Sequence, residues 1–308
     1  MKKLFFILLV FPLLVSGQSA KTFYKDGNQK LDSSLYRDAE ALFTNAITLD
    51  TLYADAYWKR GTARMGLKDN AGAIADYAVV IKFNPKASNA FYWKAVAEYR
   101  NKDYKDAVND YTSYISFVPD QAKGYAERAR AKTADKDYPG AIQDYNSAIY
   151  FGDDSKGIYL NDRGVVKLSL KDDKGAMDDF TEAIKTKAYP LAYLNRAALK
   201  RKMADYKSAI DDITEVIELY SANNGSNASK SIAYRARGEI KQDMNDYTGA
   251  LTDYETALTL NPTNALAYYC RGNVRNHAVD KDGACQDWNT AYNLGYKPAK
   301  SNIDNYCK

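Results

Sequence analysis

An all-α fold, a solenoid of about eight helix pairs, is predicted by a period of 34 residues that runs through the chain. Residues 103–111, 137–145 and 246–254 read DYKDAVNDY, DYPGAIQDY and DYTGALTDY. The alanine of this motif recurs every 34 residues in the first half of the chain, at Ala39, Ala73, Ala107 and Ala141. Each copy has room for two helices and a short turn, and such units pack mainly on their neighbours. One array is therefore expected instead of two globular domains.

The first 19 residues are of another kind and are expected to be a signal peptide. Residues 1–3 read MKK, residues 4–15 are apolar apart from Pro12, and residues 16–20 read SGQSA. A helix needs about 20 apolar residues to cross a bilayer, so this stretch is too short to span one. A basic start, an apolar centre and small residues at the exit indicate export. We expect a periplasmic or extracellular protein with no membrane span in the mature chain; an uncleaved anchor is the alternative.

Charge and residue usage argue against several classes of function. The chain has 43 Lys and Arg against 39 Asp and Glu, with both signs interleaved, so nucleic acid is not an expected partner. His277 is the single histidine, and no Cys or His spacing suits zinc. No Ser or Cys has an evident catalytic base. We therefore expect no enzyme activity, no catalytic residue, no metal and no cofactor.

A 34-residue frame divides the chain after the signal peptide into eight repeats and a tail. The repeats are residues 20–53, 54–87, 88–121, 122–155, 157–189, 190–223, 231–264 and 265–298, and the tail is residues 299–308. Position 20 of every repeat is alanine, position 24 is aromatic in all repeats but one, and position 8 is Gly or Ala. Small side chains let two helices approach closely, and the aromatic fills the space between them. Prolines at 85, 119 and 262 are expected to end second helices.

This pattern resembles the tetratricopeptide repeat family over nearly the whole mature chain. The resemblance implies a superhelix of antiparallel helix pairs, with first helices lining a concave face. It also implies binding of peptides or protein segments without catalysis. One polar insertion, residues 221–230 (SANNGSNASK), interrupts the frame and is predicted to be a loop.

Charged residues occupy two positions that face each other across the predicted helix pair. Position 7 is a cation and position 23 an aspartate in seven repeats. The predicted pairs are Arg60–Asp76, Lys94–Asp110, Arg128–Asp144, Arg163–Asp179, Arg196–Asp212, Arg237–Asp253 and Arg271–Asp287. The first repeat lacks both partners, with Asp26 and Leu42 instead. Joint loss favours structural ion pairs, for which the planar fork of arginine is suited. A row of ligand-binding arginines is the alternative.

Aromatic residues are concentrated on the expected inner face of the first three repeats. The candidate partner-binding residues are Tyr24, Trp58, Tyr92, Trp93, Tyr99 and Arg100. Exposed aromatics beside cations are typical of protein-recognition surfaces. The same aromatics could instead pack on neighbouring helices.

The C-terminal segment is expected to cap the array. Residues 296–306 are predicted to form one more helix. If this helix folds back after residues 294–295, Cys307 comes level with Cys285, and an oxidising compartment would then favour a disulfide. Cys270 would remain a buried free thiol, and a Cys270–Cys285 bond is the alternative.

The sequence thus predicts a non-catalytic scaffold that holds a peptide or protein segment, in a cell-envelope assembly. The runner-up is a carbohydrate- or peptidoglycan-associated protein that stacks sugars on its aromatics. The oligomeric state is not indicated by the sequence.

Overall fold

The structure, a computed structural model, describes residues 19–186 and 189–307. All regular elements in these ranges are helices, and the chain divides into an N-terminal unit that ends at Phe151 and a C-terminal unit that begins at Gly152. The described helices of the N-terminal unit are α1 (Ala20–Asp32), α2 (Tyr36–Leu49), α3 (Ala54–Gly66), α4 (Asn70–Phe83), α5 (Ser88–Asn101), α6 (Tyr104–Phe117), α7 (Ala122–Ala134) and α8 (Tyr138–Phe151). Those of the C-terminal unit are α9 (Lys156–Ser169), α10 (Asp173–Thr186), α11 (Pro190–Lys202), α12 (Tyr206–Ala222), α13 (Asn227–Asp243), α14 (Tyr247–Leu260), α15 (Ala265–His277), α16 (Lys281–Asn293) and α17 (Ala299–Tyr306).

Within each unit every helix packs on the next one in the chain, so the predicted helix-pair solenoid class is confirmed. The signal peptide predicted for residues 1–19 lies outside the described residues except for Ser19, which caps α1. No helix in the described ranges is long and apolar enough to cross a membrane.

The turn inside each repeat has the same backbone form eight times. Position 15 has a left-handed φ of 58° to 72°, at Ser34, Lys68, Lys102, Lys136, Lys171, Ala204, Asn245 and Val279. The next residue is aspartate in every repeat except the first, where it is Leu35. In six of these seven repeats its carboxylate accepts the N–H of position 19, as Asp69 does from Gly72 at 3.0 Å and Asp246 from Gly249 at 2.9 Å, whereas Asp103 of the third repeat makes no such bond. This N-cap satisfies a free donor of the second helix and fixes where that helix begins.

The core of each repeat includes position 8 of the first helix and position 24 of the second, which is aromatic in every repeat except the sixth, where it is Ile213. A Cβ on Gly164 would lie 2.6 Å from the Phe180 ring, and one on Gly238 would lie 2.7 Å from the Tyr254 ring. Phe180 and Tyr254 are fully buried. In these two repeats a side chain at position 8 would push the helices apart, whereas the third, fourth and sixth repeats accommodate alanine there.

Two sequence expectations about element boundaries are wrong. The insertion at residues 221–230 is mostly helical, because α12 continues to Ala222 and α13 already begins at Asn227. The segment contains no proline, and the Ser226 hydroxyl caps α13 by accepting the N–H of Ser229. The final helix starts at Ala299 and not at residue 296, and Pro298 occupies its N-cap position.

Candidate functional site: ion layers and a first-helix face

An ion pair between the two helices is present at all seven predicted places. In six repeats the guanidinium of position 7 holds the aspartate through two hydrogen bonds, as from Arg196 Nε and Nη2 to Asp212 at 2.9 and 2.7 Å. These six aspartates are 2 to 4% exposed. Such a bidentate, buried contact locks both helices at one separation. The geometry is that of a structural pair and leaves little of the carboxylate accessible to a ligand.

A second cation, which the sequence reasoning missed, completes each of these layers. It occupies position 11, one helical turn after position 7, and contacts the aspartate Oδ2, which also accepts the Nε–H of position 7, at 2.8 to 3.0 Å. The six contacts are Arg64–Asp76, Lys132–Asp144, Lys167–Asp179, Lys200–Asp212, Lys241–Asp253 and Arg275–Asp287. We call this arrangement of one aspartate and two cations a complete layer. The recurrent cation at i+4 from position 7 is the signal that could have revealed it.

An aromatic ring covers the arginine of most complete layers. Position 4 is tyrosine in five of them, and the guanidinium carbon lies 5.3 to 5.7 Å from the ring centroid. The pairs are Tyr57–Arg60, Tyr125–Arg128, Tyr193–Arg196, Tyr234–Arg237 and Tyr268–Arg271. Cation–π contact contributes most where water is excluded, so it adds to the layer.

The layer of the third repeat is different. Lys94 Nζ lies 2.5 Å from Asp110 Oδ2 and also 2.5 Å from Oε1 of Glu98, which replaces the second cation. Glu98 is 3% exposed. Burial and the charge of Asp110 raise the pKa of Glu98 to about 7, against the opposing effect of Lys94. One cation therefore serves two carboxylates here.

The predicted aromatic surface of the N-terminal unit is only partly available to a partner. Tyr92 is 8% exposed and packs in a core with Tyr111 and Tyr114, so packing is the alternative that applies to this ring. Its hydroxyl instead interacts with Lys123, and burial raises its pKa. The rings of Tyr111 and Tyr114 on α6 lie 5.8 and 5.1 Å from that of Tyr92 and cover it.

The remaining candidates are more exposed, but they do not form one platform. Tyr24 is half-buried against Phe43 and Tyr53, and the ring of Trp58 contacts Tyr77 edge-on. The exposed residues are Trp93 at 40%, Tyr99 at 38%, and Arg100.

The C-terminal unit has an apolar face on its first helices that the sequence reasoning did not select. Position 2 of its four repeats is Ile158, Leu191, Ile232 and Leu266, which we call the apolar row. Leu191 and Ile232 are each 47% exposed. The matching residues of the N-terminal unit are polar, at Lys21, Asp55, Asn89 and Lys123. Ile158 and Leu266 are partly buried, so the exposed part of the row is the pair Leu191 and Ile232, which is a candidate contact surface.

A cavity of about 320 Å³ opens beside the apolar row, with Leu194, Ile213 and Ile240 among its walls. Arg201 and Arg235 lie at its rim and both bind Glu239. Arg201 is further fixed by Asp243 at 2.5 Å, whereas no hydrogen bond from Nε or Nη2 of Arg235 to a described residue is seen. An apolar cavity with a few fixed polar groups at its edge is typical of a ligand site.

The disulfide predicted between Cys285 and Cys307 is present and joins α16 to the end of α17. Cys270 is a buried free thiol. Burial and the nearby carboxylate of Glu239 raise the pKa of Cys270 to about 12, so the thiol is inert at neutral pH. Among the described residues there is no group of three or more His, Cys, Asp or Glu that could hold a metal.

Comparison with known proteins agrees with this architecture. Residues 24–88 and 78–122 match a family model described as a tetratricopeptide repeat, and residues 238–275 match a TPR repeat model. No curated protein sequence matches the chain.

Among solved structures, a tetratricopeptide repeat protein from Parabacteroides merdae is 18% identical, with a TM-score of 0.61 over 83% of this chain and 99% of its own. The C-terminal part of a TPR repeat-containing protein from Cytophaga hutchinsonii is 17% identical, with a TM-score of 0.61 over 79% and 97%. MamA from Desulfovibrio magneticus is 20% identical, with a TM-score of 0.52 over 55% and 96%. These likenesses concern the fold. The matching family models and the repeated Gly/Ala and aromatic contacts show that this chain is built from tetratricopeptide repeats.

Proposed function

We propose that this protein is a non-catalytic protein–protein interaction scaffold that binds an apolar segment of a partner protein on the first helices of its C-terminal unit. The observation that carries the proposal is the apolar row with its adjoining cavity. Leu191 and Ile232 lie on successive first helices, and the cavity is lined by residues of α11, α12 and α13, with Ile232 among them. A partner side chain in this cavity would be removed from water, which contributes about 25 cal/mol per Å² of apolar area.

Polar groups at the rim of the cavity would also orient the bound segment. Glu239 holds Arg201 and Arg235 beside the opening, and Arg235 keeps two donor groups for a partner. A carboxylate or a backbone carbonyl of the bound segment fits those donors. The scaffold therefore favours an apolar residue that is followed by an acidic or extended stretch.

A protein segment suits the structure better than a sugar. Sugar stacking needs free aromatic faces, but Tyr24, Trp58 and Tyr92 lie against neighbouring rings. The exposed pair beside a cavity, Leu191 and Ile232, is aliphatic and suits an apolar protein segment.

We further propose that the protein works outside the cytoplasm, in a cell-envelope assembly. The Cys285–Cys307 bond supports this location, because structural disulfides persist in oxidising compartments. The signal-like residues 1–19 agree with it. Cell fractionation with the native leader, and with that leader deleted, tests the location.

The binding surface is tested by affinity capture from a cell-envelope extract, followed by titration of the captured protein after its purification. Ile232→Asp and Leu191→Asp should each weaken binding at least tenfold, because a charge then faces the apolar segment. Asn89→Asp is the matched control at position 2 in the N-terminal unit and should bind normally. Trp58→Ala tests the aromatic surface predicted from the sequence. Loss of binding with Trp58→Ala and normal binding with Ile232→Asp would place the site in the N-terminal unit instead.

A further inference from the structure

The third repeat, residues 88–121, has a buried charge cluster whose balance is opposite to that of the complete layers. A complete layer has two cations around one aspartate, whereas this cluster has Lys94 between Glu98 and Asp110. The Oε2 atom of Glu98 is buried and makes no hydrogen bond to any residue that the structure describes. A buried carboxylate oxygen without a donor is costly when it is charged, so the site is suited to a proton.

The charges that face Glu98 come from two helices. Lys94 is on α5 itself, and Asp110 is on α6. On α4, Asp76 is bound by Arg60 and Arg64 of its own layer. On α7, Lys123 and Glu127 act on Tyr92. Lys94 is the one cation that contacts both Glu98 and Asp110, so the cluster carries one excess negative charge when both carboxylates are ionised.

We propose that Glu98, Lys94 and Asp110 form a proton-operated latch that holds α5 against α6 at low pH and loosens as the pH rises. With a proton on Glu98, the carboxyl group can donate a hydrogen bond to Asp110, and Lys94 balances the one remaining negative charge. When Glu98 releases the proton to water, two buried carboxylates repel each other beside a single ammonium. The same α5 presents Trp93, Tyr99 and Arg100, so these exposed side chains respond to the latch.

The direction of the pH effect follows from linkage. Burial and the charge of Asp110 raise the pKa of Glu98 from 4.5 to about 7 in the folded protein. Between these two values the open form releases a proton that the closed form keeps. The ratio of closed to open α5–α6 therefore falls as the pH rises, by at most about tenfold per pH unit, and levels off above about pH 7.

The test is hydrogen exchange of the full chain at pH 5.5, 6.5 and 8.0, with peptides of α5 and α6 corrected for intrinsic exchange rates. Wild-type protection of these helices should fall by about tenfold or more from pH 5.5 to 8.0. Glu98→Gln imitates the protonated side chain and should keep the protection high at pH 8.0. Glu40→Gln is the matched control, because Glu40 also binds a cation, Arg64, in the same unit.

A second measurement does not depend on the folding of any variant. In protein labelled with ¹³C at glutamate carboxyl groups, one resonance should titrate with a midpoint near pH 7 and be missing in Glu98→Gln. A wild-type spectrum in which every glutamate titrates near pH 4.5 would overturn the proposal. Equal pH dependence of α5–α6 protection in the wild type and in Glu98→Gln would do the same.

Discussion

The two units use the same repeat with different regularity. All four repeats of the C-terminal unit contain a complete layer, whereas in the N-terminal unit only the second and fourth repeats do. Position 2 of the first helices also differs between the units, because it is aliphatic in the C-terminal unit and polar in the N-terminal unit. Exposed apolar residues lower the stability of a protein, and a unit that is stabilised by a complete layer in every repeat tolerates this loss best. The C-terminal unit thus has a complete layer in every repeat together with the surface that we propose for partner binding.

The N-terminal unit departs from the pattern at two specific places. Its first repeat has Asp26 and Leu42 where the ion pair would be, and its third repeat has Glu98 in place of a cation. Both repeats also lack the side-chain N-cap of the second helix. Local stability follows the density of such contacts, so the first and third repeats are expected to open most easily.

The largest expected effect comes from removing the centre of a complete layer. Asp212→Ala leaves Arg196 and Lys200 without their buried partner and should lower the free energy of unfolding by ~3–5 kcal/mol. Asp110→Ala in the third repeat should lower the free energy of unfolding much less. Lys94 still has Glu98 as its partner, and the repulsion between Glu98 and Asp110 is removed. Urea unfolding followed by circular dichroism measures both, with helical content checked before denaturant is added. Equal losses in the two variants would contradict the difference in charge balance.

The second effect concerns the disulfide at the end of the C-terminal unit. Cys307→Ser opens a loop with a sequence separation of 22 residues. Loop entropy predicts a loss of about 3 kcal/mol, localised to the contact of α16 with α17. Thermal unfolding with and without a reducing agent is the measurement. Reduction should destabilise the wild type and the control Cys270→Ala but leave Cys307→Ser unchanged; a response of Cys307→Ser to reduction would argue against this assignment.

The sequence was sufficient for those features that repeat at a fixed spacing. The first helices of six repeats begin where the frame placed them, at Ala20, Ala54, Ser88, Ala122, Pro190 and Ala265. The Arg–Asp pairs could be predicted because both partners recur together at positions 7 and 23 and are absent together in the first repeat. The second cation was missed because one partner for each aspartate was assumed, although a carboxylate has two oxygens and accepts several donors.

Side-chain exposure could not be read from the repeat. Tyr24, Trp58 and Tyr92 occupy the same position, but Tyr92 alone is buried, because that depends on which residues the neighbouring helices supply. The insertion at 221–230 was misjudged for a similar reason. Its polar residues are compatible with helix ends as well as with a loop, and packing of α12 on α13 decides between them.

The smallest effect would repair one irregularity of the N-terminal unit. Leu35 occupies the N-cap of α2, where the other repeats have aspartate, and it makes no side-chain cap bond. Leu35→Asn should stabilise the unit by about 1 kcal/mol by accepting the N–H of residue 38. Asparagine is chosen over aspartate because Asp38 already places a negative charge in the first turn. The third repeat has two such aspartates, Asp103 and Asp106, and there the cap bond does not form. Leu35→Ala is the control, because it also removes the exposed leucine but adds no side chain that could cap α2. If Leu35→Asn unfolds at the same urea concentration as Leu35→Ala, the missing cap is not what weakens the first repeat, and the absent ion layer alone distinguishes it.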